Sequence, residues 1–273
     1  MSDEFTLGVL GAGNMACAIV EGALDAGALK PEQIVATRRD QDALKSWADQ
    51  TGARPVEDNA RLASESDWLL VGLKPQVTLG VLREVGASLS PTCVVISLAA
   101  GLDTQTLEGA LPAGQSVIRL MPNTPCLVGR GATGLCLGTA ATEAQAAWVV
   151  ELLSSVGTVL RLDEALMDTV TAVSGSGPAY VFYLMESLEN AAVAGGLGRE
   201  EARLLVSQTI LGSAELAYRS DLEPSALRQR VTSPRGTTEA AIKVLDDAGV
   251  AQRFEQAVAA GIARGVELRE PTS

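Results

Sequence analysis

Between Leu10 and Ala16 the chain reads LGAGNMA, which puts Gly11, Gly13 and Ala16 in the spacing G-x-G-x-x-A after an apolar run and before an amphipathic one. In a strand, turn and helix, that spacing gives a tight turn, a backbone that a pyrophosphate can approach, and a small residue where helix meets strand. The free N–H groups of the helix start then receive the phosphates, so the chemistry implied is dinucleotide binding. A second apolar run ends in Thr37-Arg38-Arg39, where an NAD site would carry an acid. A threonine and two guanidinium groups suit a 2′-phosphate, which arginine grips through paired donors; the alternative is a solvated basic turn. Asp40 follows one residue too late in that turn to be assigned the ribose.

Three further segments fall where strands end: Gly72-Leu73-Lys74-Pro75, Ser97-Leu98-Ala99-Ala100-Gly101, and Arg119-Leu120-Met121-Pro122-Asn123-Thr124-Pro125. In an open α/β sheet the ligand lies beyond the carboxyl ends of the strands. Small residues there admit a flat ring, and prolines fix the loop shape, so together the three read as a nicotinamide pocket. Later in the chain, Val231 to Glu239 (VTSPRGTTE) leads into a helix. Its backbone N–H groups and the hydroxyls of Ser233, Thr237 and Thr238 could hold a small carboxylate, or the segment could be an ordinary N-cap.

The chain contains no histidine. That removes a His general acid, a His metal ligand and a Ser-His-Asp triad. Cys17, Cys93, Cys126 and Cys136 form no CxxC pair and are read as reduced thiols, so neither a metal site nor a disulfide is expected. Acidic residues outnumber basic ones on both sides of residue 165, and the net charge is −12. Such a surface repels phosphate backbones and anionic lipid, which argues against nucleic-acid or membrane partners. No basic, cleavable leader opens the sequence and no apolar run approaches the ~20 residues of a membrane span, so a cytoplasmic location is expected.

Runs rich in β-formers at 6–10, 33–37, 68–72, 92–98 and 116–121 alternate with helical stretches, with further edge strands expected at 132–137 and 158–161. That pattern predicts a doubly wound, Rossmann-like parallel sheet over residues 1–163. Helical periodicity then runs through 164–195, 199–219, 223–231, 236–247 and 250–268, which predicts an all-helical domain over 164–273. Only 3% of residues are aromatic, and the helical segments are crowded with Ala and Gly, so a single copy would bury little. A homodimer or larger assembly is expected to supply the missing burial.

The motifs GAGNMA, VGLKP, SLAAG, RLMPNTP, SGSGPAY and VTSPRGTTEAAI together resemble those of the pyrroline-5-carboxylate reductases, in order and spacing over nearly the whole chain. The resemblance implies NAD(P)H-driven reduction of 1-pyrroline-5-carboxylate to L-proline, the last step of proline biosynthesis; the Thr37-Arg38-Arg39 run makes NADPH the expected cofactor and NADH a weaker one. It implies a homodimer that can assemble into decamers. By matching positions, Gly11, Gly13, Asn14 and Met15 would cradle the pyrophosphate, and Thr37, Arg38 and Asn59 would hold the adenosine ribose and its phosphate. Lys74 and Pro75 would flank the nicotinamide half, and Ala99, Ala100 and Asn123 would border the ring. Ser233, Gly236, Thr237 and Thr238 would hold the substrate, with the Thr238 hydroxyl as the catalytic group near the ring nitrogen. One departure stands out: Arg235 occupies a position that is often Gly in the family.

An imine also accounts for the missing histidine, because its nitrogen can arrive already protonated whereas a ketone needs an acid for the developing alkoxide. A β-hydroxyacid dehydrogenase has a similar two-domain plan but relies on a lysine in its second domain. Between Asp163 and Ile242 there is no Lys and no His. A non-catalytic NADP sensor would leave the VTSPRGTTE segment without a purpose, and a reductase of another cyclic imine is the nearest alternative.

Overall fold

The computed structural model describes residues 5–269, so the expected domain limits at residues 1 and 273 lie outside the described part. The first elements alternate strictly: β1 (Leu7–Leu10), α1 (Asn14–Asp25), β2 (Ile34–Thr37), α2 (Gln41–Thr51), β3 (Arg54–Pro55), α3 (Asn59–Ser64), β4 (Trp68–Val71) and α4 (Pro75–Val85). Then come β5 (Val94–Ser97), α5 (Thr104–Glu108), β6 (Ser116–Met121), β7 (Gly131–Leu137), α6 (Glu143–Ser154) and β8 (Gly157–Arg161). The remaining described chain is helical: α7 (Met167–Val170), a π-helical turn at Thr171–Gly175, α8 (Gly177–Ala194), α9 (Arg199–Arg219), α10 (Pro224–Arg230), α11 (Thr237–Asp247) and α12 (Val250–Arg269).

The strands form one eight-stranded sheet in the order β3-β2-β1-β4-β5-β6-β7-β8. Its first six positions follow the dinucleotide-binding order, in which the chain reverses direction beside β1. Pairing is parallel throughout except between β6 and β7. The segment expected as an edge strand at 132–137 is therefore an inner strand, and β8 closes that side.

β1, β2, β4 and β5 are buried at every residue. That is why they read as continuous apolar runs rather than alternating ones, since helices cover both faces of a parallel sheet. One face packs Leu7, Val9, Trp68, Leu70 and Ile96 against α1 and α6. The other packs Leu10, Leu69, Val71, Val95 and Val117 against α3, α4 and α5. Among the scarce aromatics, Trp148 stacks on Trp68 at 3.8 Å between ring centroids and meets Phe5 edge-on, closing the first face.

The described chain forms two compact units, one running to Ser176 and resuming at Gly261, the other Gly177–Ala260. The stretch expected as one helix over 164–195 is broken at the π-helical turn. Pro178 has no N–H to offer the Ser174 carbonyl four residues back, which frees that carbonyl for another donor. Asn123 Nδ2 takes it at 3.2 Å.

Within Gly177–Ala260, α8 has no buried residue and α9 buries only Ala202 and Val206. Phe182, Tyr183 and Tyr218 are 62%, 72% and 78% exposed. Apolar exposure on this scale marks an interaction surface. No helix among the described residues is long and apolar enough to cross a membrane.

Candidate functional site

At the carboxyl ends of β1, β2 and β4 lies a cleft of about 860 Å3. It is lined by Gly11, Gly13, Thr37, Arg38, Asn59 and Lys74 among the residues expected to hold the cofactor. Two backbone features shape its floor. The N–H groups of Gly11 and Ala12 donate to the Thr37 carbonyl at 3.1 and 2.9 Å, so the glycine turn is stapled to the end of β2. Gly72 closes against that turn from β4: a Cβ there would stand 2.5 Å from the Gly11 carbonyl oxygen and 2.8 Å from the Ala16 methyl. Neither neighbour can swing away, so the position admits only glycine.

Among α1 to α6, helix starts distinguish the cleft from its surroundings. Asp40, Asp58, Asp103 and Thr142 cap α2, α3, α5 and α6 with their side chains. By contrast, α1 and α4 begin at Gly13 and Lys74 without a side-chain cap, and both residues line the cleft. The first turn of α1 also carries no acid. Its unsatisfied N–H groups and positive dipole end are therefore available to an anion. Asp40 spends its carboxylate on Ala43 N at 3.0 Å, which accounts for an acid in that turn without giving it to a ribose.

Arg38, Arg39 and Lys74 bring three cations to the cleft, against the carboxylates of Glu57 and Glu84. The sequence reading missed those two acids and also Gln41, whose Nε2 donates to the Arg38 carbonyl at 2.6 Å and props that backbone. Nothing short of the fold would have singled them out, since they sit on three different elements. A phosphate-bearing nucleotide fits the uncapped helix, the glycine turn and the cations.

The other expected cofactor residues do not line the cleft. Asn14 and Met15 open α1, and Pro75 opens α4. Ala99 is buried, with its N–H donating to Ser97 Oγ at 3.2 Å, and Ala100 is half-buried. Asn123 spends its whole amide on the scaffold: Nδ2 donates to the Ser174 carbonyl, and Oδ1 accepts from Ala132 N at 2.9 Å. It holds the end of β6 to β7 and to the π-helical turn.

The second candidate segment belongs to the helical unit. Gly236 precedes α11 with φ −87° and ψ 176°, the same backbone angles as Gly13, and again no side chain caps the helix. Ser233 Oγ folds so close to Gly236 that any Cβ there would collide with it. Ser233, Thr237 and Thr238 are thus gathered around one uncapped N-terminus. Glu239 reaches back to accept from Arg235 N at 2.6 Å. Arg235 itself is held at φ 61°, the left-handed region, and is the one non-glycine residue with positive φ among the described residues.

All four thiols are buried and unpaired. Burial pushes Cys17 up to about 11, and Cys93 and Cys136 up to about 12, helped by the nearby charges of Glu21, Asp67 and Glu164 respectively. Burial also raises Cys126. None is a thiolate nucleophile at neutral pH.

A part-buried ion pair joins β6 to the turn after β8. Arg119 Nη1 pairs with Glu164 Oε1, and the arginine side chain is 1% exposed. Removing Glu164 would leave the arginine charged and dry, a loss that typically costs about 3–5 kcal/mol.

Comparison with known proteins gives two family matches. Residues 164–268 match "Pyrroline-5-carboxylate reductase dimerisation", and residues 6–101 match "NADP oxidoreductase coenzyme F420-dependent". The chain is 42% identical to the pyrroline-5-carboxylate reductase of Pseudomonas aeruginosa over 262 residues, 96% of each protein. It is 38% identical to that of Methanosarcina acetivorans, over 96% of this chain and 97% of the relative. Among solved structures, a pyrroline-5-carboxylate reductase from Coxiella burnetii superposes with a TM-score of 0.91 at 38% identity, covering 97% and 99% of the two chains. A Plasmodium falciparum pyrroline carboxylate reductase with NADP bound gives 0.89 at 30% identity, covering 99% and 100%.

The left-handed backbone at Arg235 makes a direct prediction. A non-glycine residue there costs about 1–2 kcal/mol, of which glycine's greater unfolded freedom returns a part, so Arg235→Gly should raise stability by about 0.5 kcal/mol. A denaturant melt measures it; a lower midpoint would mean that the guanidinium makes a stabilising contact.

Proposed function

The chain belongs to the pyrroline-5-carboxylate reductase family, and on that footing we propose that it reduces 1-pyrroline-5-carboxylate to L-proline, with NADPH preferred over NADH. Residues 1–163 bind the cofactor, and residues 164–273 bind substrate and form the dimer. The observation that carries this reading is the uncapped start of α11, with Thr238 in its first turn and Ser233 folded against Gly236. Such a turn offers backbone donors to a carboxylate and a hydroxyl beside them, which is what a small cyclic imino acid requires.

Each part of the chain then has a defined task. The first turn of α1, with Gly11, Gly13, Asn14 and Met15, takes the pyrophosphate; Thr37, Arg38 and Asn59 hold the adenosine ribose and its phosphate. Lys74 and Pro75 flank the nicotinamide half, and Ala99 and Ala100 border its ring, with Asn123 holding the adjoining loop. Bound NADPH would supply the hydride. Ser233, Gly236, Thr237 and Thr238 hold the substrate carboxylate, and the Thr238 hydroxyl orients the ring nitrogen. No strong acid is needed, because a protonated imine accepts hydride at carbon directly. The protein's contribution is to hold two reactants in register, which can supply several powers of ten in rate.

The matched dimerisation region and the exposed apolar side chains of α8 and α9 support self-association, and the dimers are proposed to assemble further, up to decamers. A cytoplasmic location is proposed with this reading.

Two substitutions test separate halves of this reading. Thr238→Ala should lower kcat/KM for pyrroline-5-carboxylate by about tenfold to a hundredfold with NADPH affinity unchanged; wild-type turnover in that variant would remove Thr238 from the site. Arg38→Ala should weaken NADPH by about tenfold or more, the usual size of a lost charge-assisted hydrogen bond, while NADH binding changes little. Equal losses for the two nucleotides would show that Arg38 does not read the 2′-phosphate.

A further inference from the structure

Arg119 is the largest fully buried side chain of the sheet unit, and two of its three nitrogens, Nε and Nη2, make no hydrogen bond within the described protein. A β-strand core position normally goes to an apolar residue, so a guanidinium retained there at such a cost needs a reason. Its position supplies one. Arg119 lies two residues before the end of β6, in register with Ser97 of β5 on one side and Cys136 of β7 on the other. Ser97 is the residue from which the loop Leu98 to Asp103 departs, and its Oγ accepts from Ala99 N. Asn123, which ties β6 to β7 and the π-helical turn, follows two residues after β6 ends.

Glu164 closes the circuit. It stands in the short turn after β8, and it uses both carboxylate oxygens: Oε1 on Arg119, and Oε2 accepting from Thr104 N at 3.1 Å. Thr104 is the first residue of α5, at the far end of the loop that begins at Ser97. That loop is therefore held at both ends, by Ser97 at its start and by Glu164 at its finish. Arg119 anchors Glu164 to the strand between the two proposed ring-bordering segments.

We propose that Arg119 and Glu164 are positioning residues for the reduction, a clamp that fixes the 98–103 loop against the carboxyl end of β6. The nicotinamide would then meet a wall whose two halves cannot drift apart. This rests on the proposed placement of Ala99 and Ala100 beside the ring. Neither Arg119 nor Glu164 touches a reactant; both act through the backbone they hold.

The test uses the full chain with the double substitution Arg119→Met and Glu164→Leu, which removes both charges together and so avoids stranding one in the core. Glu164→Gln serves as a second variant that keeps an acceptor for Thr104 N but loses the ion pair. In the unliganded double variant, amide hydrogen exchange over residues 98–104 should quicken by about tenfold or more while β1 keeps its wild-type protection. At a temperature well below its melting point, the same variant should lose about tenfold to a hundredfold in kcat, with KM for NADPH within about twofold of wild type. Glu164→Gln should lie between wild type and the double variant in both measurements. Unchanged exchange over 98–104 would overturn the clamp, and quickened exchange with wild-type kcat would overturn its role in the reaction. If the wild-type protein fails to reduce pyrroline-5-carboxylate, the proposed function falls, and the exchange measurement still decides whether the clamp exists.

Discussion

The first turn of α1 has backbone donors and no side chain of its own to satisfy them, and much of the molecule is arranged to keep it so. Gly13 precedes it in extended geometry, the turn before it is stapled to the Thr37 carbonyl, and Gly72 leaves no room for a side chain from the neighbouring strand. Each of these contacts lets backbone approach backbone closely enough to bring β1, β2 and β4 to one point. Of the other helices between the strands, α2, α3, α5 and α6 are capped by their own side chains. An uncapped helix is a small standing cost in stability, offset when an anion arrives.

The helical unit repeats the backbone angles of Gly13 at Gly236, ahead of another helix with no side-chain cap. This arrangement suits a reaction between two anionic reactants, a dinucleotide and a carboxylate-bearing imine, where binding and alignment carry the catalysis. It also suits a protein with no histidine and with every thiol pushed upward by burial. On the proposed function, proton chemistry is left to the substrate, and the protein supplies geometry.

The nucleotide half was largely legible in the sequence because its signals are local. Gly11, Gly13 and Ala16 lie within six positions, and the Thr37-Arg38 pair marks the end of one continuously apolar strand. What escaped was set by distance along the chain. The two-residue strand β3 has no room for periodicity, and the antiparallel turn from β6 to β7 depends on pairing partners rather than composition. Glu57, in the loop before α3, and Glu84, on α4, reach the cleft only through the fold. Arg119 read as one letter of a motif, while its partner lies 45 residues away. Asn123 was placed beside the ring by resemblance, and the structure adds that its amide is already committed to Ser174 and Ala132.

The account stands or falls on the pairing of a phosphate-reading nucleotide cleft with a carboxylate-ready helix start in one catalyst. Its most direct test is steady-state kinetics with NADPH and NADH in turn, against pyrroline-5-carboxylate and its six-membered homologue, followed by the absorbance of reduced nicotinamide. The account predicts turnover of the five-membered imine with a higher kcat/KM for NADPH than for NADH. Tight NADPH binding with no oxidation by pyrroline-5-carboxylate would contradict it.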